Sequence, residues 1–162
     1  MTRSYKSLPR LGWIALAAVS FYYTPAQAAL DQTKEMTAQT QWVVNTINAR
    51  HYLRESMEQL DGNEIVEAYT GSFDYGRMYF TQSDMENFKF RFGGAMEQFL
   101  EKGNLYAAFE IYTAFQNSAQ ARTTWAYERL QQDFDFTAEE TFAPDRRETE
   151  WAVDAAALED LW

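Results

Sequence analysis

The residue types that most often perform chemistry are scarce in this chain of 162 residues. It contains one histidine, His51, and no cysteine. A lone histidine cannot by itself supply a histidine-based metal site or a Ser-His-Asp triad. Carboxylates are plentiful but show no ligand-like clustering, and the sequence has neither a glycine-rich phosphate loop nor a nucleophile elbow. The sequence therefore predicts no catalytic residue, no metal ligand and no cofactor, and we interpret His51 as a surface or loop residue.

The most informative stretch, Phe73–Phe88, combines a chain reversal, an aromatic pair and a helix start. Gly71 and Gly76 flank its first residues, and we expect them to permit a tight reversal, because glycine reaches positive φ without steric cost. Tyr79 and Phe80 follow as an aromatic pair that is large enough to anchor the loop to a core. We expect Phe80 to be the more deeply buried of the two, because it has no hydroxyl to keep hydrated. The simplest interpretation is a well-anchored corner between two helices.

The helix after this corner has a start signal of its own. Ser83 stands three residues before Glu86, which is the spacing of a capping box. The Ser83 hydroxyl would accept from the Glu86 amide while the Glu86 carboxylate reaches back. Asp84 lies in the same turn, and Phe88 opens the apolar face of the helix. Ser83 is therefore the predicted N-cap.

Apolar residues at helical spacing predict an all-α fold of four to five helices in an irregular bundle. Asp61 and Asp154 are the predicted N-caps of the second and the last helix, and Gly103 suits a left-handed C-terminal cap. The Gly93-Gly94 pair inside the third helix predicts a kink or the close approach of another helix. The predicted helices lie at about 35–50, 62–73, 83–102, 105–132 and 155–162.

Two further expectations concern the ends of this bundle. In the first helix, Trp42, Val43 and Ile47 fall on one stripe, which we expect to be buried. Beyond the long helix predicted at 105–132 the pattern changes, and Phe134 and Phe136 alternate with polar residues. This alternation predicts an extended aromatic C-terminal tail that lays two rings onto the bundle.

Residues 1–28 have the pattern of a secretory signal peptide, which leaves 29–162 as a single domain. Arg3, Lys6 and Arg10 precede a short apolar segment at 11–23, and Ala26–Ala28 offers the small residues of a cleavage site. The apolar segment is shorter than the roughly 20 residues that span a bilayer. An uncleaved anchor is the alternative, but the pattern favours an exported, periplasmic protein.

The charge of the chain restricts the class of partner. The formal net charge is −10, and cleavage of the leader would make it more negative, because Arg3, Lys6 and Arg10 would be removed. Such an acidic surface repels nucleic acid and anionic lipid headgroups. We therefore expect protein partners, no nucleic acid and no membrane contact after the leader is removed.

Several segments, taken in order, resemble the N-terminal domain of the tail-specific (C-terminal-processing) serine protease family. The resemblance covers about residues 41–162, and the ordered matches are together far more specific than any one of them. The matching residues are His51-Tyr52, Phe73-Asp74, Tyr79-Phe80, Ser83-Asp84, Phe88, Phe109 and Tyr112 within 108–112, Phe134 and Phe136 within 134–137, Asp145-Arg146 and Trp151.

The resemblance implies a helical domain that precedes a PDZ-like peptide-binding domain and a peptidase domain with a serine nucleophile and a lysine base. Such a dyad needs a lysine that loses its proton within hydrogen-bond reach of the serine. After residue 28 the only lysines are Lys34, Lys89 and Lys102, all of which have polar or charged neighbours. The resemblance therefore does not extend to the catalytic machinery.

Three functions remain as hypotheses. The preferred one is a non-catalytic scaffold domain of a periplasmic tail-specific peptidase, with PDZ and peptidase domains or an adaptor as protein partners. The second is a free-standing interaction module that docks a protease or an adaptor. The third is an enzyme with a site built from carboxylates, for which the sequence offers little chemistry.

Overall fold

The computed structural model describes residues 31–50, 60–137, 139 and 141–162. The described residues form six α-helices, with one 3-10 turn and no β-strand, so the predicted all-α class is confirmed. The helices are α1 Lys34–Arg50, α2 Gly62–Phe73, α3 Gln82–Phe92, α4 Met96–Glu101, α5 Tyr106–Arg129 and α6 Ala155–Glu159. None of the helices in these ranges is long and apolar enough to cross a membrane.

The core lies between α2, α3, α4 and the first half of α5. Trp151, which comes from the segment before α6, closes it and is 7% exposed. Apart from the buried Thr70 and Asp74, the interior of the described residues consists mainly of apolar side chains, whose burial is where a domain without disulfides gains its stability. The buried cluster comprises Val66, Phe80, Met85, Phe88, Phe92, Met96, Ala107, Ile111 and Trp151.

The predicted helix over 83–102 is interrupted at its glycine pair. The 3-10 turn Gly93–Ala95 separates α3 from α4. A β-carbon on Gly62 would collide with the carbonyl oxygen of Gly93, and one on Gly93 would collide with the Asn63 side chain. The N-terminus of α2 therefore approaches this turn more closely than any larger residue allows, and both the predicted kink and the predicted close approach are confirmed.

The predicted helix ends at Asp61, Gly103 and Asp154 are confirmed. The Asp61 carboxylate accepts from Asn63 N at 2.8 Å and begins α2. Gly103 has φ 64° after α4, and the Asp154 carboxylate accepts from Ala157 N at 2.9 Å at the start of α6. These three positions could be predicted because capping depends on local residue type.

The buried face of α1 was predicted wrongly. Trp42 is 68% exposed and Val43 47% exposed, whereas Val44 is 5% exposed; Ile47 is half-buried. The face of α1 is set by the close approach of its backbone to Gly103, where a β-carbon would lie 2.6 Å from the Thr37 carbonyl oxygen. The α1 residues at that contact are the polar Thr37 and Gln41, so the apolar stripe gave no signal of it.

The segment after α5 is non-helical over 133–137, as predicted, but the prediction that its two rings lie on the bundle was wrong. Phe134 is 42% exposed and Phe136 91% exposed, and the two rings stack on each other with centroids 6.0 Å apart. The Arg129 guanidinium lies 4.2 Å from the centroid of the Phe134 ring. These rings do not reach the bundle, because they follow the C-terminal half of α5, which lies beyond the core.

Candidate functional site

The structure joins the loop after α2 to the segment before α6. The first segment of this junction is residues 74–81, and the second segment is residues 145–152; we call the two together the loop junction. Gln82 N donates to Ala152 O at 2.8 Å, and Thr81 and Ala152 form an isolated parallel β-bridge. The junction connects positions that are about 70 residues apart in the chain.

The Asp74 carboxylate lies at the centre of the loop junction and is 1% exposed. Its Oδ1 accepts from Met78 N at 2.8 Å and Tyr79 N at 3.3 Å. Its Oδ2 accepts from Phe80 N and from Trp151 Nε1, both at 3.2 Å. One side chain thus holds three consecutive amides of its own loop and the indole of the distant segment.

The charge of Asp74 is subject to two opposing effects. Burial raises the pKa of the Asp74 carboxyl above its ordinary value, because removing a carboxylate from water penalises the charged form. The N–H donors of Met78, Trp151, Phe80 and Tyr79 lower the pKa and oppose this effect. A buried carboxylate in this position depends on those donors, since an unpaired one would be strongly destabilising.

The positive φ of the chain reversal, which we expected at Gly71 or Gly76, is found at Arg77. Arg77 has φ 55°, in the left-handed region, while Gly71 lies inside α2 and neither it nor Gly76 has a positive φ. The Arg77 guanidinium stacks over the Trp151 ring at 3.5 Å from its centroid. The favourable stacking offsets the cost of the left-handed backbone.

Two further hydrogen bonds join the first segment of the junction to Arg146 and Arg147 of the second segment. Arg77 Nη2 donates to Arg147 O at 3.0 Å, and Arg146 Nε donates to Gly76 O at 3.2 Å. Arg77 Nε and Nη1 are buried and have no hydrogen-bond partner among the described residues. Asp145 is exposed and pairs with Arg147 at 2.7 Å, which lowers the pKa of the Asp145 carboxyl to about 2.

The N-cap of α3 is Thr81, and the prediction of Ser83 was wrong. The Thr81 hydroxyl accepts from Asp84 N at 3.2 Å, and the Asp84 carboxylate accepts from Thr81 N at 2.9 Å. This capping box overlaps the Ser83–Glu86 pattern two residues later, and the sequence fits both. The bridge to Ala152 decides between them, because it holds Thr81 in the extended conformation that an N-cap requires (φ −104°, ψ 168°).

The aromatic pair lies directly after the Asp74 amides. Phe80 is 2% exposed and packs edge-on against Phe88 with centroids 5.3 Å apart. Tyr79 is half-buried, with its ring 5.0 Å from Phe115 and 5.7 Å from Trp162. The expectation that Phe80 is the more deeply buried of the two is confirmed.

The structure brings some of the resembling residues together and leaves others apart. Phe73, Asp74, Tyr79, Phe80, Asp84, Phe88, Arg146 and Trp151 meet at the loop junction or in the core beneath it, where Tyr112 also contacts Phe73 at 5.8 Å. Ser83 is exposed, Phe109 is half-buried on α5, and Phe134, Phe136 and Asp145 lie outside the core. His51-Tyr52 lies outside the described residues.

Sequence inspection missed three residues of the junction: Arg77, Thr81 and Ala152. A capping signal at Thr81 was present but ambiguous, whereas nothing local marks Arg77 as left-handed or Ala152 as a bridge partner. Both depend on a contact between distant segments. Among the described residues, no group of three or more His, Asp or Glu side chains is placed to hold a metal ion.

The polar groups of this site bond to one another and hold two segments of the chain together. Both oxygens of Asp74 accept two hydrogen bonds each, the Trp151 indole N–H donates to one of them, and Thr81 and Asp84 cap each other. A general acid or base needs an atom within hydrogen-bond reach of a substrate proton. The junction instead uses its polar atoms to fix two segments of the chain to each other.

Comparison with known proteins identifies relatives. Residues 43–162 match the family described as the tail-specific protease N-terminal domain. Over 130 residues the chain is 23% identical to a tail-specific protease from Haemophilus influenzae, which covers 80% of this chain and 19% of that protein. The chain therefore spans about a fifth of the length of this curated relative.

Proposed function

Because this chain belongs to the tail-specific protease family, whose N-terminal domain it matches over residues 43–162, we propose that it is a helical scaffold for a protease core. In this role it performs no catalytic step. It supports the PDZ and peptidase domains that carry out substrate binding and cleavage in such a protease.

One observation carries the scaffold role: the buried carboxylate of Asp74 accepts four hydrogen bonds from the chain itself. A buried charge whose lone pairs all face internal donors has no accessible lone pair for a substrate. The same four bonds make the loop junction rigid, and rigidity is what a supporting domain requires. The family resemblance and the internal use of the motif residues thus favour the same role.

We also propose that the protein is exported to the periplasm after cleavage behind Ala28. The support is the leader pattern of residues 1–28, with its basic start, short apolar segment and small residues at 26–28. A peptidase of this family would meet its substrates in that compartment.

A chimeric protease tests the scaffold role. Residues 29–162 of this chain replace the matched region of the Haemophilus influenzae tail-specific protease, and cleavage of peptides with apolar C-terminal tails is measured. We expect the chimera to cleave, whereas the chain alone should leave the same peptides intact. The Asp74→Asn chimera is the control, because loss of the loop junction should lower activity together with stability.

Two results would contradict the scaffold role. One is a chimera that folds and does not cleave. The other is hydrolysis by the chain alone that disappears when one residue of the chain is changed.

A free-standing interaction module is the second candidate, and exposed aromatic side chains favour it. Phe90 is 90% exposed on α3 and Trp42 68% exposed on α1. A module of this kind would bind an intact tail-specific protease that already has its own N-terminal domain. Co-sedimentation of the chain with the full-length Haemophilus influenzae protease, lost in the Phe90→Ala or Trp42→Ala variant, would favour this candidate over the scaffold.

A further inference from the structure

The second half of α5 extends beyond the core. The two buried residues of the whole helix, Ala107 and Ile111, both lie in its first two turns. A helix of 24 residues is about 36 Å long at the α-helical rise. The half that follows Phe115 therefore presents a face that the other described helices do not cover.

This face forms one wall of an apolar groove of about 390 Å³. The wall residues follow one another at spacings of four, three and four, so they lie on one side of the helix. Leu130 at the end of the wall is 68% exposed. The wall is Ala119, Thr123, Ala126 and Leu130, and the groove is also lined by Tyr79, Arg122, Tyr127 and Trp162.

Trp162 is held in a fixed position at the groove. Its Nε1 donates to Met78 O at 2.9 Å, and its ring lies 5.7 Å from Tyr79 and 6.2 Å from Trp125. The Arg122 guanidinium lies 5.5 Å from the centroid of the same ring. Any polypeptide that continues from this position thus leaves the domain at the groove.

The lining indicates an apolar occupant. Arg122 is the one charged residue of the lining, and it pairs with Glu159 at 2.8 Å. The groove therefore offers apolar surface and no unpaired charge. A second copy of this chain is disfavoured as the occupant because two molecules of net charge −10 repel each other.

The described part of the chain begins at the opposite end of α5 from the groove. Gln32 Oε1 accepts from Leu105 N at 2.8 Å, directly before the first residue of α5.

We propose that the groove between α5 and Trp162 binds the segment that follows the N-terminal domain in a tail-specific protease. This inference rests on the proposed scaffold function and names the contact through which the scaffold acts. The family match extends to residue 162, the position that lines the groove. In the Haemophilus influenzae relative the matched region is 19% of the protein, so a long chain remains to be supported.

Hydrogen exchange in the chimeric protease tests this proposal. Amide exchange of residues 119–130 is compared between the chimera and the chain alone. We expect exchange to slow by at least roughly tenfold in the chimera, because a covered helix opens less often than an exposed one.

Thr123→Glu and Thr124→Glu form a matched pair for the same experiment. Both threonines are exposed and donate to the carbonyl four residues earlier, but only Thr123 lines the groove. Thr123→Glu should abolish the protection and Thr124→Glu should retain it. Urea midpoints of both variants equal to that of the wild type would establish that neither change unfolds the domain.

The possible outcomes separate this proposal from the scaffold function. A chimera that cleaves peptides while residues 119–130 exchange as in the free chain overturns the groove proposal alone. A protected groove in a chimera that folds but does not cleave supports the groove and contradicts the scaffold function. Concentration-dependent association of the free chain that Thr123→Glu abolishes would assign the groove to a second copy and overturn the proposal.

Discussion

At the scale of single residues, Asp74 shows why a buried charge can be stabilising. Taking a carboxylate out of water is costly unless donors replace the lost hydration. Here four N–H groups do so, and three of them come from consecutive amides that would themselves be unpaired without the carboxylate. The carboxylate and the loop therefore stabilise each other.

Asp74→Asn should destabilise the protein by about 2–4 kcal/mol at pH 7, because an amide nitrogen replaces one acceptor oxygen and leaves two donors unpaired. Urea unfolding followed by tryptophan fluorescence measures the change. Asp145→Asn is the control, because that carboxylate is exposed, and its midpoint should equal that of the wild type. Equal midpoints for both variants would show that the Asp74 bonds do not hold the loop.

The residues of the loop junction also show what sequence can and cannot predict. Asp61, Gly103 and Asp154 were correctly assigned, because their roles depend on a few neighbours in the chain. The left-handed Arg77 and the bridge at Ala152 were not foreseen, because each depends on a partner about 70 residues away. The burial of Phe80 could be predicted from its type alone, but its neighbours could not.

At the scale of secondary-structure elements, tertiary contacts decide between alternatives that local sequence leaves open. The sequence 81–86 has two overlapping capping boxes, and the bridge to Ala152 selects the first. Likewise, α1 meets Gly103 with the polar residues Thr37 and Gln41 and not with its apolar stripe. Local propensity determined that these helices form, and distant contacts determined where they start and which way they face.

The cap of α3 yields a prediction that separates the two boxes. Thr81→Ala should cost about 1 kcal/mol, the usual value for a lost N-cap, whereas Ser83→Ala should change the free energy of unfolding by less than about 0.5 kcal/mol. Chemical denaturation of the two variants under identical conditions measures the difference. If Ser83→Ala proved the more damaging, the cap would lie where the sequence pattern first placed it.

The close approach of α2 to the 3-10 turn yields a second prediction about the helices. Gly62→Ala should destabilise by about 1–3 kcal/mol, because its β-carbon meets the backbone of Gly93, which cannot move aside cheaply. Gly71→Ala, in the same helix with no atom within 4 Å of its β-carbon, should instead stabilise by about 0.5–1 kcal/mol. Thermal melts of both variants would show opposite shifts, and a stabilised Gly62→Ala would mean that the two backbones do not touch.

At the scale of the whole molecule, the all-α class followed directly from the helical spacing of apolar residues. The arrangement of the helices did not, because the sequence contains no record of which faces meet. The C-terminal half of α5 is the clearest case: its aromatic and small residues predict packing, and within the described residues that packing is incomplete. The proposed contact with a following domain accounts for this surplus of apolar surface.

The proposed export yields a prediction for the whole chain. The protein recovered from the periplasm should begin at Ala29, because Ala26–Ala28 precedes the proposed cleavage position. N-terminal sequencing of the secreted protein measures this directly. Recovery of a product that retains Arg3 and Lys6 would contradict cleavage and favour an anchored protein.

The long-range closure of the loop junction has a consequence for synthesis and transport. The Asp74–Trp151 hydrogen bond spans 77 positions and the Met78–Trp162 bond spans 84. A polypeptide that emerges from a ribosome or a translocation channel with its N-terminus first cannot form the first contact before Trp151 has emerged, or the second before Trp162 has emerged. Contacts of such separation slow folding, so the nascent domain remains open through most of its passage. The contacts that make the finished domain rigid therefore form late, and the emerging chain remains unfolded until they do.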